Sequence, residues 1–212
     1  MTILDQISKA TQSGKQDEVS QLVQQGIDNK VPVEQILQEG LIAGMEVIGE
    51  KFSKHEAFVP EMLVAARAMT AGTALLRPLL VEEGVPAKGQ ALIGTVKGDM
   101  HDIGKNLVRM MLEGKGFDVV DLGVDVDPAL FVDYIKNHKD LQLVCLSSLL
   151  TTSLAALGET VQAIRDEGLC DQVKILVGGA PVSQEIADKY GADAYASDAA
   201  SGSVKALDLI AC

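Results

Sequence analysis

The hydrophobic pattern of this chain changes period once, at Gly84-Val85-Pro86-Ala87-Lys88-Gly89. Before that point the apolar residues recur at helical spacing and no alternating pattern interrupts them. Ile3, Leu4 and Ile7 mark a first helix, and Val19, Leu22, Val23 and Ile27 a second. Val33, Ile36, Leu37, Leu41, Met45, Ile48 and Phe52 mark a third. A fourth opens at Val59-Pro60, with proline tolerated in a first turn, and continues through Met62, Leu63, Ala66, Met69, Thr73, Leu76 and Leu80. Four amphipathic helices with short connections predict an all-α four-helix bundle. The glycines and proline of 84–89 read as a linker, which divides the chain into residues 1–88 and 89–212.

After the linker, short β-branched runs alternate with helical stretches. The strands predicted are Ala91–Val96, Phe117–Leu122, Leu141–Ser147, Val173–Val177 and Asp193–Ala196. Helices are expected near Ile103–Glu113, Pro128–Asn137, Leu154–Asp166, Ser183–Lys189 and Ser203 to Ile210. This alternation predicts an α/β fold with a five-stranded parallel sheet, flavodoxin- or Rossmann-like. In the order 2-1-3-4-5 the switch point falls between strands 1 and 3, and ligands bind beyond the carboxyl ends of such strands.

Composition narrows the partners. The net charge of −12 disfavours nucleic acid, which needs clustered Lys and Arg. Aromatic residues make up 3%, with no Trp, so base-stacking platforms are not expected. No apolar run approaches the roughly 18 residues that span a bilayer. Met1-Thr2-Ile3-Leu4-Asp5 lacks the regions of a signal peptide, so a cytoplasmic protein without a membrane partner is expected. Cys145, Cys170 and Cys212 form neither a disulfide framework nor a zinc spacing, and Cys145 reads as a small core residue.

The strand ends carry the chemistry. Gly98-Asp99-Met100-His101-Asp102-Ile103-Gly104-Lys105-Asn106 follows strand 1. It is not a phosphate loop: five residues separate Gly98 from Gly104 where four are required, and Asn106 stands where Ser or Thr would bind magnesium. Asp99 lies two residues before His101, close enough to accept a hydrogen bond from one ring nitrogen and leave the other free as a ligand or base. A loop histidine capping a helix is the plainer reading, and it is the reading given to His55 and His138. Ser147-Ser148-Leu149-Leu150-Thr151-Thr152-Ser153 follows strand 3, Gly178-Gly179-Ala180-Pro181 follows strand 4, and Ser197–Gly202 follows strand 5. The glycine pair serves equally for close ligand approach or for a tight turn. Four of the five strand ends are small, polar or glycine-rich, and together they outline a slot for a large ligand.

Asp99-x-His101-x-x-Gly104, then Ser147-x-Leu149, then Gly178-Gly179 resemble the three-part signature of cobalamin-binding domains, in matching order and on matching strands. The helical part resembles the cap of methionine synthase and of small corrinoid proteins, through Gly44–Phe52, Phe58–Leu63 and Ala65–Met69. The resemblance spans essentially the whole chain. It implies a corrinoid methyl-carrier protein: a non-autonomous subunit of a multi-component methyltransferase, of O-demethylase or methylamine type. Its cobalamin or related corrinoid would be bound base-off and His-on. Co(I) would accept a methyl group from a substrate-specific methyltransferase. As methyl-Co(III) it would pass the methyl to a second methyltransferase, with tetrahydrofolate or a thiol as acceptor. A reductive activator would be the third partner.

On this resemblance His101 is the metal ligand, and Asp99 with Ser153 the relay behind it. Asp102, Ile103, Gly104, Ser147, Leu149, Thr151, Gly178 and Gly179 hold the cofactor and its displaced nucleotide tail. Phe58 and Met62 are the residues that would meet the upper face of the corrin from the cap, with bundle core the alternative for both. Residues 84–89 would be a hinge. A cobalamin-binding regulator or sensor shares the two-part plan, but it normally carries a basic DNA-binding domain, which the acidic composition and length here disfavour. Adenosylcobalamin mutases use a barrel in place of the bundle. None of these residues encodes the identity of the methyl donor.

Overall fold

The computed structural model describes residues 1–83 and 87–211; Gly84, Val85 and Pro86 of the expected linker and hinge lie outside the described residues. The chain divides into two compact units. One is Met1–Lys88 with Glu113–Gly116, and the other is Gly89–Leu112 with Phe117–Cys212.

Among the described residues the first unit holds helices α1 (Ile3–Gln12), α2 (Gln16–Asp28), α3 and α4 (Val59–Glu82). A capping box starts α1: Asp5 N–H donates to Thr2 Oγ1 at 3.1 Å, and Thr2 N–H donates to Asp5 Oδ2 at 2.8 Å. α3 runs through an α-helical turn (Val33–Gln35), a π-helical stretch (Ile36–Ile42) and a longer α-helix (Ala43–Ser53). The apolar pattern predicts one plain helix there, because one wider turn shifts the pattern too little to be seen. Gly40 and Gly44 bring α3 close to α1. A Cβ at Gly40 would lie 2.9 Å from Ile7 Cγ2, and one at Gly44 would lie 2.8 Å from the Ser8 carbonyl oxygen.

Helix α4 contains Val59–Leu80, a 22-residue segment of mean hydropathy 1.2 that is long and apolar enough, by length and composition, to cross a membrane. Glu61, Arg67 and Arg77 interrupt it, which is why its uninterrupted apolar runs are short. It buries Met62, Ala65, Ala66, Ala68, Met69 and Leu76. A Cβ at Gly72 would meet Leu41 at 2.8 Å and Val19 at 3.0 Å, so α4 packs on α2 and α3 as a helix of the bundle.

The second unit alternates strands and helices: β1 (Gly89–Thr95), α5 (Ile103–Glu113), β2 (Phe117–Asp121), α6 (Pro128–Asn137), β3 (Leu141–Ser147), α7 (Leu154–Asp166), β4 (Lys174–Gly178), α8 (Gln184–Tyr190), β5 (Ala194–Ala196) and α9 (Ala199–Ile210). All pairings are parallel, and the order is β2-β1-β3-β4-β5. Both faces are covered, as a doubly wound sheet requires. Leu92, Val144, Leu146, Ile175 and Val177 pack with Phe131, Ile135, Leu157, Val161 and Ile164 from α6 and α7. Their neighbours Ala91, Ile93, Leu143, Cys145 and Leu176 pack with Leu112 of α5 and Ala206 of α9 on the other face.

The register matters most for the site. Thr95 pairs with Ser147, Ser147 with Gly178, and Gly178 with Ala196. The last residues of β1, β3, β4 and β5 therefore stand in one row, and the loops that follow leave from a common level.

One boundary departs from expectation. α9 starts at Ala199 rather than near Ser203. Asp198 is its N-cap, accepting from Ser201 N–H at 2.9 Å, so most of Ser197–Gly202 is the first turn of a helix rather than a loop. Its small residues hid the helical period, since Ala199, Ala200, Gly202 and Ser203 are all buried without being bulky.

Candidate functional site

β1 ends at Thr95, a fully buried residue whose hydroxyl donates to the His101 carbonyl at 2.8 Å. The chain then turns through Gly98, at φ +79°, and places Asp99 beneath His101. Asp99 is completely buried and divides its two oxygens between two loops. Oδ1 faces its own loop: it lies 2.7 Å from His101 Nδ1 and accepts from His101 N–H at 3.1 Å. Oδ2 faces the β3–α7 loop, accepting from Leu149 N–H at 2.7 Å, Leu150 N–H at 3.2 Å and Ser153 Oγ at 2.8 Å. Ser148 Oγ lies a further 2.7 Å behind Ser153 Oγ, so a hydroxyl chain leads away from the carboxylate.

Burial opposes the charge on Asp99. The hydrogen bonds from Leu149, the His101 ring and backbone, and Ser153 outweigh it, and they hold the carboxyl well below its ordinary range. A buried carboxylate that stays ionised accepts from the ring, so Nδ1 carries the proton and Nε2 presents its lone pair. Nε2 has no hydrogen-bond partner among the described residues, and the His101 side chain is 51% exposed. Met100, Ile103 and Leu149 line the same cavity as His101 and, like Leu150 of the β3–α7 loop, are exposed.

Beside His101 a cavity of about 470 Å³ runs into the sheet unit. Ile93, Val108, Cys145 and Leu176 give it an apolar lining, and Gly104, Ser147, Gly178, Gly179, Ala196 and Gly202 narrow nothing because they are small. A Cβ added at Gly104 would meet no atom within 4 Å, so the absence of a side chain there leaves open space rather than satisfying the fold. Gly179 is the reverse case. Its φ is +128°, and a Cβ would lie 1.8 Å from the Ser148 carbonyl oxygen. The glycine pair thus includes a residue that the packing of β4 against the β3–α7 loop itself requires.

The structure gathers His101, Asp102, Ile103, Gly104, Ser147, Leu149, Gly178 and Gly179 around this cavity. Asp99 and Ser153 lie behind His101, as a relay would. Thr151 is exposed and is not part of the lining. Phe58 and Met62 belong to the helical unit. Phe58 is 67% exposed, whereas Met62 is 2% exposed within the bundle.

Other lining residues carry no signal that sequence reasoning picks up. Cys145 is a core residue and also part of the cavity wall, a double role that alternation along β3 cannot reveal. Lys105 is a buried cation paired with Asp121 and bonded to Asn106 Oδ1 at 2.9 Å. The one hint of it is an acid closing the neighbouring strand. Among the described residues no three His, Cys, Asp or Glu side chains gather into a metal site.

The family model for a B12 binding domain matches residues 89–204, and a second model of the same description matches residues 3–77. The chain belongs to the B12-binding corrinoid proteins. It is 40% identical over 210 residues to the dimethylamine corrinoid protein of Methanosarcina barkeri, covering 99% of this chain and 98% of that one. It is 44% identical over 176 residues to the trimethylamine corrinoid protein of the same organism, covering 82% and 79%. Among solved structures it resembles the methanol:cobalamin methyltransferase complex of M. barkeri, with a TM-score of 0.88 and 26% identity over 99% of this chain and 80% of that chain. It also resembles a cobalamin-binding protein of Desulfitobacterium hafniense, with a TM-score of 0.78 and 30% identity over 98% of both chains. The bundle-then-sheet plan and the five-stranded parallel sheet are therefore those of this family.

Proposed function

We propose that this chain is a methyl carrier. It would hold a corrinoid base-off with His101 Nε2 as lower axial ligand, and shuttle a methyl group between two methyltransferases in the cytoplasm. The observation that carries the reading is the Asp99–His101 pair, with its free Nε2, beside a cavity that Gly104 leaves open. The residues fit the cofactor. The exposed side chains of Met100, Ile103 and Leu149 beside His101 would offer apolar contact to a macrocycle, and the cavity would offer a channel to its displaced nucleotide tail. Bound there, the corrinoid supplies a cobalt centre that takes up and gives up a methyl group; the protein supplies position and electronics.

Asp99 would fix the ring tautomer that leaves Nε2 facing the cofactor. It stays ionised because Leu149, Leu150 and Ser153 hold its charge in place. Ser147, Gly178 and Gly179 line the tail channel, Asp102 and Ile103 flank its mouth, and Thr151 belongs to the loop that anchors Asp99. Phe58 is the bundle residue proposed to meet the corrin. Met62 lies one turn on, its N–H donating to the Phe58 carbonyl at 3.2 Å, and steadies that turn from within the core. The relatives named for dimethylamine, trimethylamine and methanol favour a donor enzyme acting on a small amine or alcohol. An acceptor methyltransferase using a thiol or tetrahydrofolate and a reductive activator would complete the set of partners.

The test is reconstitution with hydroxocobalamin, followed by paramagnetic resonance of the Co(II) state. The native chain is expected to bind one corrinoid per chain and show nitrogen coupling from the protein. His101→Ala should retain corrinoid through the tail channel and lose that coupling. Unchanged coupling in His101→Ala would refute the ligand assignment.

A further inference from the structure

The loop bearing His101 is anchored on two sides, and only one anchor belongs to the relay. On the β3 side the Asp99 carboxylate is held by Leu149, Leu150 and Ser153. On the β2 side the backbone of the same loop is held by Asp125, from the one strand end that carries no small or glycine-paired motif. Gly98 N–H donates to Asp125 Oδ1 at 2.7 Å, and Asp125 N–H donates to the Asp99 carbonyl at 2.9 Å. Asp125 thus grips the peptide units on both sides of the Gly98–Asp99 turn, one with its side chain and one with its backbone.

The local conformation is unusual enough to need a reason. Asp125 sits at φ +54°, in the left-handed region that non-glycine residues rarely adopt and that Asp tolerates better than most. Around it the two strand extensions are zipped together. Thr95 N–H donates to the Gly123 carbonyl at 3.0 Å, Val126 N–H donates to the Thr95 carbonyl at 3.0 Å, and Val96 bridges Val126 in parallel. Lys97 adds an exposed ion pair to Asp127 at 2.7 Å, which contributes little by itself. The left-handed turn lets a residue of the β2–α6 loop face back toward β1. Asp125 does not line the cavity, so any effect it has on the cofactor passes through the loop.

We propose that Asp125 is a positioning residue for the lower axial ligand, setting the height at which His101 Nε2 is presented. The inference rests on the proposed ligand role of His101. A ligand that must bind and leave repeatedly needs a loop with a defined resting position. The Asp99 carboxylate fixes the ring orientation, while Asp125 fixes the peptide from which the ring hangs. Losing the Asp125 acceptor leaves the relay intact and frees the turn on one side.

Three substitutions in the full chain, reconstituted with hydroxocobalamin, separate the contributions. Asp125→Asn keeps the side-chain acceptor and tolerates the left-handed conformation. Asp125→Gly keeps that conformation and the backbone N–H but removes the acceptor, and Asp125→Ala removes both the acceptor and the ease of the turn. The readout is the fraction of Co(II) spectra with protein nitrogen coupling, alongside total bound corrinoid and amide exchange at Gly98 in the cofactor-free chain. Asp125→Asn should match the native chain. Asp125→Gly should bind corrinoid fully, exchange the Gly98 amide faster, and shift the coupled-to-uncoupled ratio by about fivefold, the effect of one ordinary hydrogen bond. Asp125→Ala should shift it at least as far. A native ratio in Asp125→Gly overturns the inference, as does an equal loss in Asp125→Asn. A native chain that binds no corrinoid, or binds it without nitrogen coupling, overturns the proposed function and this inference with it.

Discussion

Asp99→Asn is the most informative single change, because the structure dictates which way the amide must face. Leu149 N–H and Leu150 N–H both point at Oδ2 and cannot turn away, so the Asn carbonyl must take that side. Its NH2 then faces His101. There it opposes the His101 backbone N–H at the Oδ1 position and donates to ring Nδ1. The ring proton moves to Nε2, and the lone pair is lost from the exposed nitrogen. Stability falls as well. Three charge-assisted bonds from Leu149, Leu150 and Ser153 become neutral ones, at a loss of about 1 kcal/mol each, and one donor on the His101 side is left unmatched at about 1–3 kcal/mol. Relief from burying a charge offsets part of this, which leaves a net loss of about 3 kcal/mol.

The pH dependence has a definite sign. A carboxyl held below its ordinary value in the folded state stabilises fully above the unfolded value of about 3.9, and that contribution is lost as pH falls through the folded value. The gap between native and variant stability should therefore be widest at neutral pH and shrink below about pH 4. Urea unfolding at pH 7 and pH 3 measures the gap, and nitrogen-15 spectra of the imidazoles read the tautomer. His101→Gln assigns the His101 signals among the three histidines. A variant within about 0.5 kcal/mol of the native chain, with Nε2 still unprotonated, would refute the geometry.

Gly104→Val should leave stability within about 1 kcal/mol of native, since nothing lies within 4 Å of the new Cβ, yet it should sharply reduce corrinoid retention on gel filtration; full retention would exclude the channel. Gly179→Ala should do the opposite and unfold the sheet unit at markedly lower denaturant, because its Cβ would overlap the Ser148 carbonyl at a φ of +128°. Burial pushes the Cys145 thiol up to about 12. Peptide mapping after iodoacetamide treatment at pH 8 should find Cys170 alkylated well before Cys145, whose thiol stays neutral and is buried. Phe131→Ala, at a fully buried ring between α6 and the sheet, should cost about 3–5 kcal/mol without changing corrinoid affinity per folded chain.

Some of this was legible in the sequence and some was not, for physical reasons. Periodicity exposed the bundle and the strand–helix alternation, because each rests on burial repeated many times over. The order 2-1-3-4-5 was legible as the flavodoxin-like arrangement of alternating strands and helices. The Asp99–His101 pair was visible because both partners are local, two residues apart. Asp125 was not visible, since its partner lies 27 residues away and its role depends on a single backbone angle. Helix α9 was misplaced by four residues because small buried residues carry no period. Gly104 and Gly179 look alike in sequence, and only packing shows that one is open space and the other a steric necessity.

The row formed by Thr95, Ser147, Gly178 and Ala196 ties these observations together. Asp99 can reach the Leu149 and Leu150 amides only because β1 and β3 end level at the switch point. A one-residue slip of β3 would turn Ser147 to the other face and carry those amides about 3.3 Å along the strand, beyond reach of a carboxylate already bonded to His101. Sheet register, His101 tautomer and carboxylate charge are therefore one constraint. The same hydrogen bonds that lock β1 to the β3–α7 loop also keep Asp99 ionised and Nε2 free. Substitutions of Ser153 or Asp99 should consequently change the stability of the sheet unit and the electronics of His101 together. Substitutions of Asp125 should change the position of His101 while leaving its tautomer alone.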